Sequence, residues 1–320
     1  MFICPKCHCS MSLPICSCGY SVPNFDGIWQ LSDAPDAVKT GDGDLYIGYE
    51  EIGEAYSGNR KYIIEEADGL VAREISELTG NGVFLDLACG DGCLTLPCAQ
   101  SGTKIIAGDI SNKMLGILKD RAQHLNISLD NVTLCRINAL NIPIADESVD
   151  TVVANSVLHL ISNPQKVLDE IHRVLKAGGA FVCLDDAPGR QDDENEDNSL
   201  YFEIVNNLYN KYWELLGKQG IYPKKYSWKF DREAACGRLF SSRETRMIRH
   251  RGRYEAKLSD GFLPRFLDRG FSDQTDVPKG THEAVTEILM KDFRGRYGED
   301  FDSVAYIGRY SDILMTVYRK

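Results

Sequence analysis

The sequence predicts an α/β fold, a mostly parallel sheet with helices on both faces. Three observations predict it. Between residues 81 and 186, apolar strand-like runs alternate with runs of helical spacing. A glycine-rich turn, in "VFLDLACGDGCLTL", follows the first strand-like run, as a strand–turn–helix unit requires. The 320 residues are 43% hydrophobic, enough for a sizeable core.

Residues 1–32 are Cys-rich and poor in helix signal, and residues 33–44 read as a polar linker. Residues 45–80 have helical spacing, with Ile63, Ile64, Ala67, Leu70, Val71, Glu74 and Ile75 near one face. "GVFLDLA", "KIIAGDI", "VTLCRI", "VDTVVAN" and "AFVCLD" are expected strands. The expected helices between them are Cys93–Gln100, "SNKMLGILKDRAQHL" with Ser111 as N-cap, and "NPQKVLDEIHRVLKAGG", from Pro164 to the Gly178–Gly179 stop. Past Asp186 an acidic run, "GRQDDENEDNS", reads as a solvated loop or as a lid over a site. "LYFEIVNNLYNKYWELL" has helical spacing. After it come a strand pair near "TRMIRHRGRYEAKL", helices over 259–269 and 281–294, and a last strand, "YSDILMTVYR". The expected units are therefore 1–32, a small Cys-rich module; 33–80, linker and N-terminal helices; 81–186, the core; 187–240, a helical insertion or lid; and 241–320, the C-terminal part.

A net charge of −11 argues against a general binder of nucleic-acid backbones. No apolar run is long enough for a membrane span, and "MFICPKCHCS" lacks the apolar stretch of a signal peptide. Six of the eleven cysteines are scattered through apolar runs without pairing regularity, as expected of buried thiols in a reducing cytoplasm.

Gly90 and Gly92 allow positive φ and close approach at the carboxyl end of the sheet, where open α/β folds bind ligands. A dinucleotide site would carry a third glycine at position 95, which is Thr here. Asp86, at the strand end, would repel a pyrophosphate and favours a ligand with positive charge. Asp109 ends the next strand, where a carboxylate can accept both hydroxyls of a ribose. The pocket suits an adenosine carrying a cationic tail.

"LDLACGDG", "AGDIS", "CRINALNIPIADESVDTVVANSVLHLI" and "VLDEIHRVLKAGGAFVCLD" occur in this order over residues 60–186. Together they resemble the class I S-adenosylmethionine-dependent methyltransferases, with a type-11-like core. The resemblance implies a Rossmann-like seven-stranded sheet and S-adenosylmethionine as cofactor. It implies that Asp86, Ala88 and the Gly90–Asp91–Gly92 loop hold the methionine end. Asp109, with Ile110 beside it, would grip the ribose, Asn138 and Ala139 would flank the adenine, and Asn155 would face the methyl donor. That family usually has Asp where Asn138 stands. Its helix before the first strand often folds over the cofactor; Tyr46, Tyr49, Tyr56 and Arg60 lie there, with Arg60 a candidate for the methionine carboxylate.

Cys4, Cys7, Cys16 and Cys18 form two pairs in a segment too short for its own core, the pattern of a structural zinc ribbon. His8 and Cys9 are spare donors, so the ligand set stays open. Four thiolates would leave no coordination position for chemistry. The arrangement is similar to the N-terminus of zinc-finger rRNA guanine-N1 methyltransferases, although their second ligand pair is wider and usually ends in His.

His159 is the nearest candidate general base, just after the fourth strand. "NSVL" is not the N-P-P-Y type of sequence with which amino-group methyltransferases end this strand. Tyr201, Phe202, Tyr209, Tyr212, Trp213, Tyr222, Tyr226 and Trp228 are candidates for a substrate wall or a core. Lys229, Arg232, Arg238, Arg243, Arg246, Arg249, Arg251 and Arg253 form a basic stretch, either a solvated face or an anion or RNA contact. The favoured function is methyl transfer to a small molecule. The alternatives are an rRNA or tRNA methyltransferase holding RNA through ribbon and basic stretch, and a cofactor-binding interaction protein without turnover. The sequence does not fix the oligomeric state.

Overall fold

The computed structural model describes residues 1–32, 49–58, 65–161, 163–186, 197–223, 230–250, 253–309 and 312–320. Two small hairpins come first: β1 (Phe2–Ile3) with β2 (Ser10–Met11), and β3 (Asn24–Phe25) with β4 (Ile28–Gln30). Helices α1 (Tyr49–Ser57) and α2 (Glu66–Thr79) lead into β5 (Val83–Leu87), α3 (Thr95–Gln100), β6 (Lys104–Asp109), α4 (Asn112–His124), β7 (Val132–Arg136) and β8 (Val149–Val153). Next come α5 (Pro164–Val174), β9 (Leu175–Asp186), α6 (Ser199–Gly217), α7 (Arg232–Leu239), β10 (Ser242–Ile248) and β11 (Arg253–Lys257). The chain closes with α8 (Phe262–Leu267), α9 (Lys279–Tyr297), β12 (Ala305–Arg309) and β13 (Ile313–Arg319).

Nine of these strands form one sheet in the order β10-β13-β9-β8-β5-β6-β7-β4-β3. From β9 to β4 all neighbours are parallel; β13 runs antiparallel to β9 and β10, and β3 antiparallel to β4. The seven-stranded sheet that the resemblance implies corresponds to the strands from β10 to β7. The hairpin β3–β4 extends them through the β4–β7 pairing, whereas β1–β2 is a two-stranded sheet of its own.

Strand alternation builds a core on each face. Leu85, Leu87, Ile106, Phe181 and Cys183 face a core completed by α5, α7 and the N-terminal segment. Phe84, Ile105, Ala107, Ala180 and Val182 face the other, completed by α2, α3 and α4. A third core joins Ile204, Leu208, Tyr212 and Leu216 of α6 to Phe266 of α8 and Val285, Leu289 and Phe293 of α9. The expected boundary at residue 240 does not follow this packing. α6 belongs with the C-terminal helices, whereas Ala235 and Cys236 of α7 belong to the first core.

Local signals explain the helix starts. Ser111 accepts the Met114 N–H at 3.1 Å, as expected of an N-cap, and Asn163 accepts the Lys166 N–H with Pro164 next to it. The N-terminal helices expected within 33–80 are α1 and α2, the second starting after the extended Glu65; Ile63 and Ile64 lie outside the described residues. Two expectations are corrected. The helix expected to reach Gly179 ends at Val174, where β9 begins. There Gly178 N–H donates to Lys320 O and Lys320 N–H to Gly179 O, so the C-terminal residue draws this segment into the sheet. β10 and β11 are strands but not partners: β10 pairs with β13, and β11 with β12 in a separate sheet. The acidic run at 187–196 lies outside the described residues.

Candidate functional site

The carboxyl ends of β5, β6 and β8 open onto one cavity of about 1120 Å³, its mouth included. It sits where the chain, having run outward through β5, β6 and β7, returns to the other side of β5, the usual ligand position of such sheets.

Asp86 occupies the end of β5 on the face of α3. Its side chain is buried and accepts the Thr95 hydroxyl at 2.6 Å. Burial pushes its pKa up to about 7, and the nearby Asp109 adds to the shift. Asp109 ends β6 and ties two loops together. One carboxylate oxygen accepts the Gly90 N–H and the other the Ser111 N–H, both at 2.9 Å. Burial raises its pKa to about 6, against the pull of those two bonds.

The loop between Asp86 and Thr95 is shaped by its packing. Ala88 lies at φ 59°, a left-handed conformation that costs a β-carbon-bearing residue about 1–2 kcal/mol. Gly90 and Gly92 have φ of 55° and 82°. A Cβ at Gly92 would stand 2.6 Å from Leu118 Cγ, so the missing side chain admits α4 as well as the turn. Asp91, expected to touch the cofactor, lines the cavity, but its carboxylate forms a buried ion pair with Arg121 at 3.3 Å. Arg121 also donates to the Asp91 carbonyl at 2.7 Å, pinning the loop to α4. Gly92→Ala is expected to destabilise the chain by about 2–4 kcal/mol, from overpacking plus positive φ, as a lower urea midpoint.

The remaining wall follows β7, β8 and α1. Ile110, Asn138 and Ala139 line the cavity, with the Asn138 Oδ1 accepting the Leu140 N–H at 2.9 Å. Asn155 follows β8 and also lines it, together with Ser156 at φ 52°. Tyr49 and Tyr56, seven residues apart on α1, close the top, their rings edge to face at 4.8 Å. α1 lies close on α4: a Cβ at Gly53 would stand 3.0 Å from both Met114 and Ile117, and Lys113 pairs with Glu54 at 2.7 Å. Arg265 stacks on both Tyr56 and Phe271, linking α1 to the C-terminal helices.

Of the expected ligand-binding residues, Asp86, Ala88, Gly90, Asp91, Asp109, Ile110, Asn138, Ala139, Asn155 and Tyr56 meet at this cavity. Gly92 acts from behind it, against Leu118. Arg60 and Tyr46 lie outside the described residues. His159, the expected general base, is exposed and does not line the cavity, because the turn Leu158–Leu160 brings Leu160 inward and leaves His159 outside. Sequence reasoning missed Thr95, Met114, Leu140, Val157, Leu160 and Ile161. Helical position marks Met114, three residues past the cap Ser111; no motif marks the others. Tyr209 and Tyr212 belong to the third core, and none of Tyr201, Phe202, Tyr209, Tyr212, Trp213 and Tyr222 lines the cavity. Tyr226 and Trp228 lie outside the described residues.

Charge decides what the cavity can take. Asp86, Asp91 and Asp109 line it, and among the described lining residues there is no Lys, Arg or His. That field disfavours a pyrophosphate and favours a cation.

At the N-terminus the four sulfur atoms of Cys4, Cys7, Cys16 and Cys18 lie within 4.8 Å of one another. Cys4 and Cys18 are 3.8 Å apart, Cys7 and Cys16 3.6 Å. Thiolates on a tetrahedral zinc, each about 2.3 Å from the ion, stand about 3.8 Å apart, so the set fits zinc. His8 and Cys9 are not part of the cluster.

Residues 85–183 match the family model described as a methyltransferase domain. A demethylmenaquinone methyltransferase of Clavibacter sepedonicus is 31% identical over 147 residues, 45% of this chain and 58% of that protein. An uncharacterised chloroplastic methyltransferase of Arabidopsis thaliana is 34% identical over 116 residues, 35% of this chain and 33% of that one. The chain thus spans about half the length of the first of these and a third of the second. Among solved structures, geranyl diphosphate C-methyltransferase from Streptomyces coelicolor A3(2) superposes with a TM-score of 0.37 at 17% identity, covering 78% of this chain and 75% of that one.

Proposed function

We propose that this chain is an S-adenosylmethionine-dependent methyltransferase that acts on a small-molecule acceptor. The observation that carries it is the cavity's charge: two buried carboxylates at adjacent strand ends, and no basic side chain among the described lining residues. The methyltransferase-domain match over the same strands and loops supports it. When bound, the cofactor supplies a methyl group on a cationic sulfur, already activated for displacement.

The chain's own residues then bind and orient. Asp109, pre-set by its two backbone bonds, would accept the ribose hydroxyls. Asp86, set by Thr95, would hold the amino end of the methionine moiety. Asn138 and Ala139 would flank the adenine, and Asn155 would face the acceptor. With His159 outside, the described walls offer no imidazole or amine base, so alignment is the main contribution. Val157, Leu160 and Ile161 give the acceptor side an apolar character, and Tyr49 and Tyr56 shield it from water. Quinone-related small molecules, as in the name of the Clavibacter relative, are the first class to screen. Zinc on the four N-terminal thiolates would be structural.

The RNA alternative gains no support from the architecture. The ribbon hairpin ends the sheet at β3 and the basic strand ends it at β10, with seven strands between. The basic residues are also matched by acids: Arg232 with Asp185, Arg243 with Glu233, Arg246 with Glu244 and Glu74. Arg238 and Arg249 are exposed, while Lys229, Arg251 and the side chain of Arg253 lie outside the described residues. Among the described residues no helix is long and apolar enough to cross a membrane.

Calorimetry tests the proposal. S-adenosylhomocysteine is expected to bind and a nicotinamide dinucleotide to give no signal; the reverse would overturn it. Cofactor binding without consumption across a broad acceptor screen would favour the non-catalytic alternative.

A further inference from the structure

We propose that the N-terminal metal ribbon braces the adenosine end of the cavity, so that a metal ion on Cys4, Cys7, Cys16 and Cys18 sets ligand affinity some distance away. This rests on the cofactor assignment above for the identity of the ligand. The ribbon is joined to two parts of the cavity wall by separate contacts.

The first joint is with the segment after β7. Ile3 N–H donates to Pro143 O at 2.9 Å, and Ala145 N–H donates to Met1 O at 2.8 Å. Phe2, Met11, Val22 and Leu31 share a core with Ile137, Leu140, Ile142 and Ile144. Ile137 to Leu140 line the cavity, among them the pair expected at the adenine.

The second joint is with the loop after β6. Trp29 and Gln30 pair in parallel with Cys135 and Arg136, and Leu31 N–H donates to Arg136 O at 3.2 Å. The Arg136 Nε–H in turn donates to Ile110 O at 3.1 Å, beside Asp109. The Gln30 amide also exchanges bonds with the Asn112 amide, at 3.0 and 3.4 Å, in the first turn of α4. Ile110 and Met114, on either side of Asn112, line the cavity.

The ribbon has little of its own to hold it. Its strands are two or three residues long, and two of its four clustered cysteines are buried. Hairpins of that size do not persist alone in water. A small module of this kind gains its order from the metal. Both joints begin in it, so metal loss should loosen the adenine wall and the ribose loop before it disturbs β9 and β13, several strands away.

The test uses the full chain, loaded with zinc or stripped with a chelator. Metal analysis is expected to find about one zinc per chain. Hydrogen exchange should rise over residues 137–145 on stripping and stay unchanged over 313–319. The dissociation constant for S-adenosylhomocysteine should rise at least fivefold and recover when zinc is restored. Gln30→Ala, which keeps all four thiolates, should retain its zinc and bind about threefold more weakly. Should stripping unfold the whole chain, this variant decides: unchanged affinity overturns the brace. Unchanged exchange over 137–145 in a folded, stripped chain overturns it as well. A zinc-loaded chain that shows the exchange effect but binds no S-adenosylhomocysteine upholds the brace and refutes the cofactor assignment.

Discussion

Asp109→Ala is expected to weaken S-adenosylhomocysteine binding by more than tenfold in a calorimetric titration. The carboxylate has two duties that the substitution removes together. It accepts backbone N–H groups from Gly90 and from Ser111, one on each oxygen. Losing it leaves those two donors without an acceptor, at about 1–3 kcal/mol for a buried group. It also removes the acceptor for the ribose, and tenfold in affinity corresponds to only about 1.4 kcal/mol. Asp109→Asn keeps one carbonyl oxygen and should fall between wild type and Ala. An Ala variant that stays folded and binds as tightly as wild type would contradict the role given to this residue.

Asp86→Asn is expected to raise the thermal midpoint of the ligand-free chain at pH 8 while weakening cofactor binding. The carboxyl titrates near 3.8 in the unfolded chain and near 7 in the folded one, chiefly because of burial. Below about 3.8 it is neutral in both states and costs nothing. Between 3.8 and 7 the unfolded chain releases the proton and the folded chain retains it, so stability falls as the pH rises. Above 7 the full cost applies, on the order of 4 kcal/mol at about 1.4 kcal/mol per pH unit. Asparagine can still accept the Thr95 hydroxyl and carries no charge. The gain in midpoint should therefore be about 5–10 °C at pH 8 and close to zero at pH 4. A gain independent of pH would place its origin elsewhere. Asp109, with its pKa raised to about 6, adds a smaller cost of the same sign. Both are offset when a cation enters the cavity.

The part of the fold visible in the sequence is the part written locally. The run from Val83 to Leu87, the glycines after it and the cap Ser111 specify strand, turn and helix within a few residues of one another. They place Asp86 and Asp109 at neighbouring strand ends without any knowledge of register. What escaped depends on distant partners. Leu175 joins a strand because β8 and the C-terminus lie beside it, not because of its own neighbours in sequence. β10 and β11 look like a hairpin, yet each pairs with a strand about fifty or more residues later. His159 sits in the expected loop, but the direction of one short turn decides which side chain enters the cavity. Asp91 lines the cavity as expected, but its ion pair with Arg121, thirty residues on, is announced by nothing in its sequence surroundings. The hairpin at Asn24 to Gln30 is too short to announce a strand, and its place in the sheet is set by β7.

The two margins of the nine-stranded sheet differ in the kind of protection they have. At one, β3 is only two residues long and offers a foreign chain almost no ladder to extend. At the other, β10 is seven residues long but carries Arg243 on one face and Glu244 and Arg246 on the other, all three already in ion pairs. An unpaired row of backbone groups is the usual template for fibrils and for strand exchange between copies. Among the described residues neither margin supplies a long apolar one, so the wide sheet offers a foreign strand little to extend.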